Sequence, residues 1–133
     1  MTVFLSLLED NIAVVAAPVT HDGKGSLLNT NADTIAQEIA TAMARHYSVD
    51  LIYSFEKKGV LTDVNDENSL IPLLTRSLYE KYRQEQKIFA GMIPKLDNAF
   101  AAISSGVNKV IIGQAEELDA LTEGSTGTIL THE

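Results

Sequence analysis

Thr34-Ile35-Ala36-Gln37-Glu38-Ile39-Ala40-Thr41-Ala42-Met43-Ala44-Arg45-His46, followed closely by Asp50-Leu51-Ile52-Tyr53-Ser54-Phe55, decides the reading of this chain. In the first stretch Ile35, Ile39, Ala42, Met43 and His46 recur on one helical stripe, and Thr34 with Gln37 has the spacing of a capping box. A helix over about 33–46 is expected, with His46 packed rather than ligating. The second stretch is apolar and short, and it ends in Glu56-Lys57-Lys58-Gly59, where glycine can take the positive φ of a sharp exit. A helix that feeds a buried strand is the unit of a parallel α/β sheet. The carboxyl end of such a strand is where open sheets of this class bind ligands, although a solvated charged turn is the plainer reading of 56–59.

Working outward, the same alternation continues. Upstream, Ile12 to Val19 is apolar and rich in β-branched residues, which predicts a strand buried on both faces. Asp22-Gly23-Lys24-Gly25 supplies a turn, with Ser26-Leu27-Leu28 as the second arm of a hairpin. Val3 to Leu8 reads as the end of a helix closed by Glu9-Asp10-Asn11. Downstream come a short strand or loop at 60–64, a polar turn at 65–69, and helical periodicity through Leu70, Leu73, Leu74, Leu78 and Tyr82. Gly91-Met92-Ile93-Pro94 opens another helix, since proline is tolerated in a first turn, and Ile93, Leu96, Phe100 and Ile103 carry its stripe to Gly106. Lys109 to Ile112 is a strand, Glu116 to Leu121 a short helix, and Thr128 to Leu130 a closing strand. The expected fold is α/β, a three-layer αβα sandwich with a mainly parallel sheet, and nothing marks a linker or repeat that would divide residues 1–133.

Composition narrows the chemistry. Eighteen acidic against ten basic residues give a net charge of −8, so the average field repels polyanions and nucleic acid is not an expected partner. Small anions stay open, because a few backbone amides and a lysine bind phosphate locally. Zero cysteines remove disulfides, thiolate metal sites and thiol nucleophiles. No stretch approaches the ~18 apolar residues of a membrane span and no basic region precedes the first apolar residues, so the chain reads as soluble and cytoplasmic. His21, His46 and His132 lack metal spacing, and no metal-ligating residues are expected. Aromatics make up only 6% and tryptophan is absent, which points to polar, backbone-lined sites rather than base-stacking platforms.

Two places carry candidate chemistry. Leu28-Asn29-Thr30-Asn31-Ala32-Asp33 sets two amides and an acid at a strand-to-helix junction. Capping accounts for such residues. Alternatively, Asn29 and Asn31, at i and i+2 of a strand, point together at an anionic substrate while Asp33 holds a lysine or cation. Lys95 falls in the first turn of its helix, where the dipole disfavours a cation by up to ~1 kcal/mol. It is either a solvated lysine reaching away or, with the amides after Gly91, a phosphate clamp.

Four motifs then occur in order across nearly the whole chain: Leu27-Leu28-Asn29-Thr30-Asn31-Ala32-Asp33-Thr34, Gly59-Val60-Leu61-Thr62-Asp63, Gly91-Met92-Ile93-Pro94-Lys95 and Gly127-Thr128-Ile129-Leu130. Together they resemble the amino acid kinase family. The resemblance implies ATP with Mg²⁺ as phosphoryl donor, and the side-chain carboxylate of N-acetyl-L-glutamate, in arginine biosynthesis, as acceptor. It assigns Asn29 and Asn31 to the substrate, Asp33 to organising catalytic lysines, Lys95 to the transferring phosphoryl, and Glu56, Gly59, Gly91 and Met92 to the nucleotide. The family's kinases are about twice this length, and this chain resembles their carboxyl-terminal, nucleotide-binding half. The implied partners are therefore ATP or ADP, an N-acylated glutamate and the missing amino-terminal half. The implied intact enzyme is a homo-oligomer, while this chain is expected to be inactive alone and monomeric. Where relatives usually show Ser or Thr followed by Asp, this sequence has Phe55-Glu56, and Ala90 stands where a second glycine is common. The rival readings are a non-catalytic nucleotide- or ligand-binding module and a sibling kinase with another small carboxylate substrate.

Overall fold

Val110-Ile111-Ile112-Gly113 is a run of four buried residues inside the strand Lys109–Gln114, here β5. Only a strand covered on both faces accommodates such a run. The computed structural model, which describes residues 2–133, places β5 inside a four-stranded sheet. On one side β5 pairs in parallel with Asp50–Phe55 (β3), Ile52 opposite Ile111. On the other it pairs antiparallel with Thr128–Thr131 (β6), which lies parallel to Leu73–Thr75 (β4). The order is β3-β5-β6-β4.

Alternation along β5 sends Val110 and Ile112 to one face, where they join Leu130 of β6 in the main apolar core. Helices Ala32–Met43 (α2) and Ile93–Ser104 (α4) pack on each other and on this face, and α4 contributes Leu96, Ala99, Phe100 and Ile103. The other face receives Leu118–Glu123 (α5), whose Leu121 is fully buried. Gly113 makes this possible, because a Cβ there would lie 2.3 Å from the Leu121 Cδ2. Helices thus cover both faces, the three-layer α/β arrangement expected. Arg76–Gln84 (α3) leaves β4 with the Thr75 hydroxyl accepting the Leu78 N–H, and Tyr79 stacks on Phe100 with ring centroids 5.3 Å apart. Among the described residues no helix is long and apolar enough to cross a membrane.

Several local expectations change. The helix expected over 33–46 spans Ala32–Met43, and its cap is Asn31 rather than Thr34: the Asn31 Oδ1 accepts the N–H groups of Asp33 (2.8 Å) and Thr34 (3.4 Å). His46 lies beyond the helix and is exposed. Periodicity from Leu70 belongs to two elements, because Leu73 and Leu74 form β4 and the helix begins at Arg76. The largest departure is 12–19. No regular structure forms between Ile12 and Ala17, and Val15 is 95% exposed. Only Val19–His21 (β1) pairs, antiparallel with Leu27–Asn29 (β2), in a separate hairpin. A strand buried on both faces needs hydrogen-bonding neighbours and covering helices, and the described residues place no strand of the main sheet beside this run. The helix Thr2–Glu9 (α1) before it ends as expected, with Asn11 at a positive φ of 58°.

Candidate active site

The chain folds α2 and α4 against each other so that one carboxylate and one ammonium meet. Asp33 sits in the first turn of α2, where the positive dipole end favours an acid, and Lys95 sits in the first turn of α4, where it disfavours a base. The Lys95 Nζ donates to the Asp33 Oδ2 at 2.5 Å. Its side chain is only 16% exposed, so the alternative of a solvated lysine reaching away fails on geometry. The carboxylate offsets the dipole penalty and fixes the ammonium.

Two aromatic rings from β3 complete this environment. Tyr53 and Phe55, at i and i+2, share one face of the strand, and Lys95 Nζ lies 4.5 Å from the Tyr53 centroid and 5.9 Å from that of Phe55. The Tyr53 hydroxyl donates to the Asp33 carbonyl at 3.4 Å. Burial, and secondarily the nearby Asp33 charge, push the Tyr53 phenol up to about 12, so it stays a neutral donor at physiological pH. Tyr53 is therefore no proton shuttle near neutral pH. The cluster offers a held positive charge beside the N-termini of α2 and α4, which is suited to stabilising an anion.

Immediately beyond, the turn after β3 walls a pocket. Phe55, Val60, Leu61, Val64, Phe89 and Met92 make it largely apolar, while Glu56, Lys57 and Gly59 bring the turn itself to its edge. Thr128, fully buried, pins this turn: its Oγ1 accepts the Val60 N–H at 2.8 Å and donates to the Ile71 carbonyl at 2.7 Å. Gly59 matters for closeness, since a Cβ would sit 2.6 Å from the Thr128 Oγ1 and 2.9 Å from its backbone nitrogen. The Gln114 side-chain amide also donates to the Glu56 carbonyl, tying the turn to β5.

Of the residues singled out in the sequence, Asp33 and Lys95 are brought into contact, and Glu56, Gly59 and Met92 line the same pocket. Gly91 lies under the Phe89 ring rather than in the pocket wall. Asn31 uses its side-chain oxygen as the α2 cap, and β2 ends at Asn29, so the two amides do not share a strand face as expected. The expectation of a site poor in aromatics is also corrected: Phe55 and Phe89 face the pocket, and Tyr53 holds the lysine. The Tyr53 and Phe55 spacing at a strand's carboxyl end carried that signal in the sequence. Nothing flagged Phe89, and Thr128 stood out only as part of the closing-strand motif Gly127-Thr128-Ile129-Leu130. Among the described residues no three His, Asp or Glu side chains cluster to hold a metal ion.

Comparison with known proteins sets this geometry in context. The sequence model described as the amino acid kinase family matches residues 2–114. An acetylglutamate kinase from Phocaeicola vulgatus is 51% identical over 125 residues, covering 94% of this chain and 47% of that protein. An N-acetylglutamate synthase structure from Neisseria gonorrhoeae, complexed with coenzyme A and L-arginine, superposes with a TM-score of 0.82 at 20% identity, over 99% of this chain and 30% of that one. A carbamate kinase from Giardia lamblia bound to AMP-PNP gives 0.73 at 14% identity, over 99% of this chain and 49% of that one. The last two likenesses concern the fold. The chain spans about half the length of the relatives it matches in sequence.

Proposed function

The chain belongs to the amino acid kinase family, and from that premise we propose that it supplies the nucleotide-binding, phosphoryl-stabilising half of an enzyme that phosphorylates the side-chain carboxylate of N-acetyl-L-glutamate with ATP. That step belongs to arginine biosynthesis, in the cytoplasm. The carrying observation is the Lys95–Asp33 pair, a shielded and fixed ammonium at the head of two helices and next to an apolar pocket. The name of the relatives at about half identity supports the acceptor.

In this reading a carboxylate oxygen of the acceptor attacks the γ-phosphorus, the bond to the ADP oxygen breaks, and an acyl phosphate and ADP leave. Little covalent work falls to the protein, so stabilising charge on the transferring group is the main task. Lys95 does this, preorganised by Asp33 and the Tyr53 and Phe55 rings. Glu56, Gly59, Gly91 and Met92 border the nucleotide. Asn29 and Asn31 serve the acceptor's α-carboxylate, Asn31 with its amide N–H donors, which the cap leaves free. Mg²⁺ would neutralise phosphate charge when bound, and among the described residues no cluster of His, Asp or Glu side chains stands ready to hold it.

The partner is the amino-terminal half of such a kinase, the intact enzyme being a homo-oligomer and this chain alone a monomer with negligible turnover. Amide NMR of the chain with Mg-ADP tests the reading: shifts should localise to Glu56–Gly59, Gly91, Met92 and Lys95. A dispersed spectrum indifferent to millimolar Mg-ADP would sink it in favour of a non-catalytic module. Turnover dependent on a different small carboxylate, once the other half is supplied, would replace the acceptor with that of a sibling kinase.

A further inference from the structure

Phe89 is 62% exposed, yet the backbone around it is held: Ile88 and Met92 are buried, and the Met92 N–H donates to the Phe89 carbonyl at 2.9 Å. A large apolar ring on an ordered segment, left open to water, forgoes burial that a core position would give it. Its location suggests why. Phe89 lines the pocket beside β3, with Phe55, Val60 and Leu61 among the other walls. Gly91 makes room for the ring, because a Cβ at that position would stand 2.7 Å from the Phe89 Cε1 and 3.3 Å from its Cδ1.

Phe55 belongs to two environments at once. It lines the pocket, and its ring lies 5.9 Å from the Lys95 ammonium. An apolar, aromatic-walled recess thus adjoins a fixed positive charge, which suits a ligand with a flat heterocyclic end and an anionic end. We propose that Phe89 is the stacking wall for the base of the bound nucleotide, and that Gly91 is a positioning residue whose missing Cβ lets the ring lie there. This deepens the nucleotide reading above and rests on it. It also gives Gly91 a role in addition to bordering the nucleotide.

The test compares two ligands that share the phosphate end and differ in the base, Mg-ADP and Mg-tripolyphosphate, titrated by NMR into the chain. Phe89→Ala should raise the Kd for Mg-ADP roughly tenfold, in line with base stacking on aromatic side chains, and leave tripolyphosphate binding unchanged. Phe89→Tyr should keep Mg-ADP affinity within about twofold, since the phenol ring offers the same π-face. Gly91→Ala should weaken Mg-ADP selectively as well, by displacing the ring. The exposed side chain of Phe89 can be removed without opening the core, and a dispersed amide spectrum checks this. An equal loss for both ligands, or no loss for Mg-ADP, overturns the assignment while leaving the nucleotide reading intact. Failure of the unsubstituted chain to bind Mg-ADP overturns both.

Discussion

Ile12-Ala13-Val14-Val15-Ala16-Ala17 and Val110-Ile111-Ile112 are close in composition and opposite in surroundings. The second is sealed between β3, β6 and two helical layers, with all three residues at 0% exposure. The first has no regular structure; Val14 and Ala16 line a groove with Ile35 and Ile39 of α2, while Val15 stands almost wholly in water. An apolar run is therefore a demand for partners, and the fold decides whether the demand is met. The candidate site divides along the same line. Asp33, Lys95 and Tyr53 are held by elements packed on the main sheet, whereas Asn29 closes an exposed hairpin.

Hydrogen exchange should show the largest contrast. Amides of β5 are expected to exchange only through global opening, with protection of at least ~10³ if the chain has the stability of an ordinary domain. Residues 12–17, which have no strand partners, should exchange with little protection. Comparable protection in both would break the comparison, and would mean that the run finds a partner in solution, such as a second copy of the chain.

The same contrast explains what the sequence could and could not reveal. β3 was legible to its ends because a short apolar run stops at a charged turn, and α4 because Pro94 opens it and Gly106 closes it. β4 was not, since a three-residue strand cannot display a period of two, and its leucines continue the helical spacing of α3. The antiparallel placement of β6 against β5 has no sequence mark either. Asp33 and Lys95 each looked odd or useful alone, but their pairing across 62 positions follows from how α2 packs on α4, and only the family motifs linked them beforehand. Phe89 was hidden because an isolated phenylalanine in a connecting segment most often belongs to a core.

A smaller effect should follow from Thr128→Val, which keeps the shape and removes the hydroxyl. The Val60 N–H and the Ile71 carbonyl both lose that partner in a buried place, although the Ile71 N–H still donates to the Val60 carbonyl nearby. Each unsatisfied group costs about 1–3 kcal/mol, so a loss of roughly 2 kcal/mol in urea denaturation is expected after some relaxation. Thr128→Ser, which restores the hydroxyl, should recover most of it. The turn carrying Gly59 and Val60 should loosen with the stability loss, which links the sealed region directly to the pocket. A valine variant as stable as the parent would show that the turn is held by packing alone.

The smallest expected effect tests the open region. Val15→Asp removes an apolar side chain that buries almost nothing here, so the stability of the chain should change by no more than about 0.5 kcal/mol. The added carboxylate stays in water, and its repulsion within a chain of net charge −8 is screened. A large loss would mean that Val15 itself packs against something in the folded chain and that the two apolar runs are less different than they look. The same variant becomes informative when the amino-terminal half proposed as partner is added. Should that half cover this face, the aspartate must be desolvated without a counter-charge, and association should weaken at least tenfold. Val15→Ala, which removes only apolar contact, should weaken it less. An aspartate variant that associates as well as the parent would place the partner elsewhere, leaving Val15 exposed in the assembled protein too.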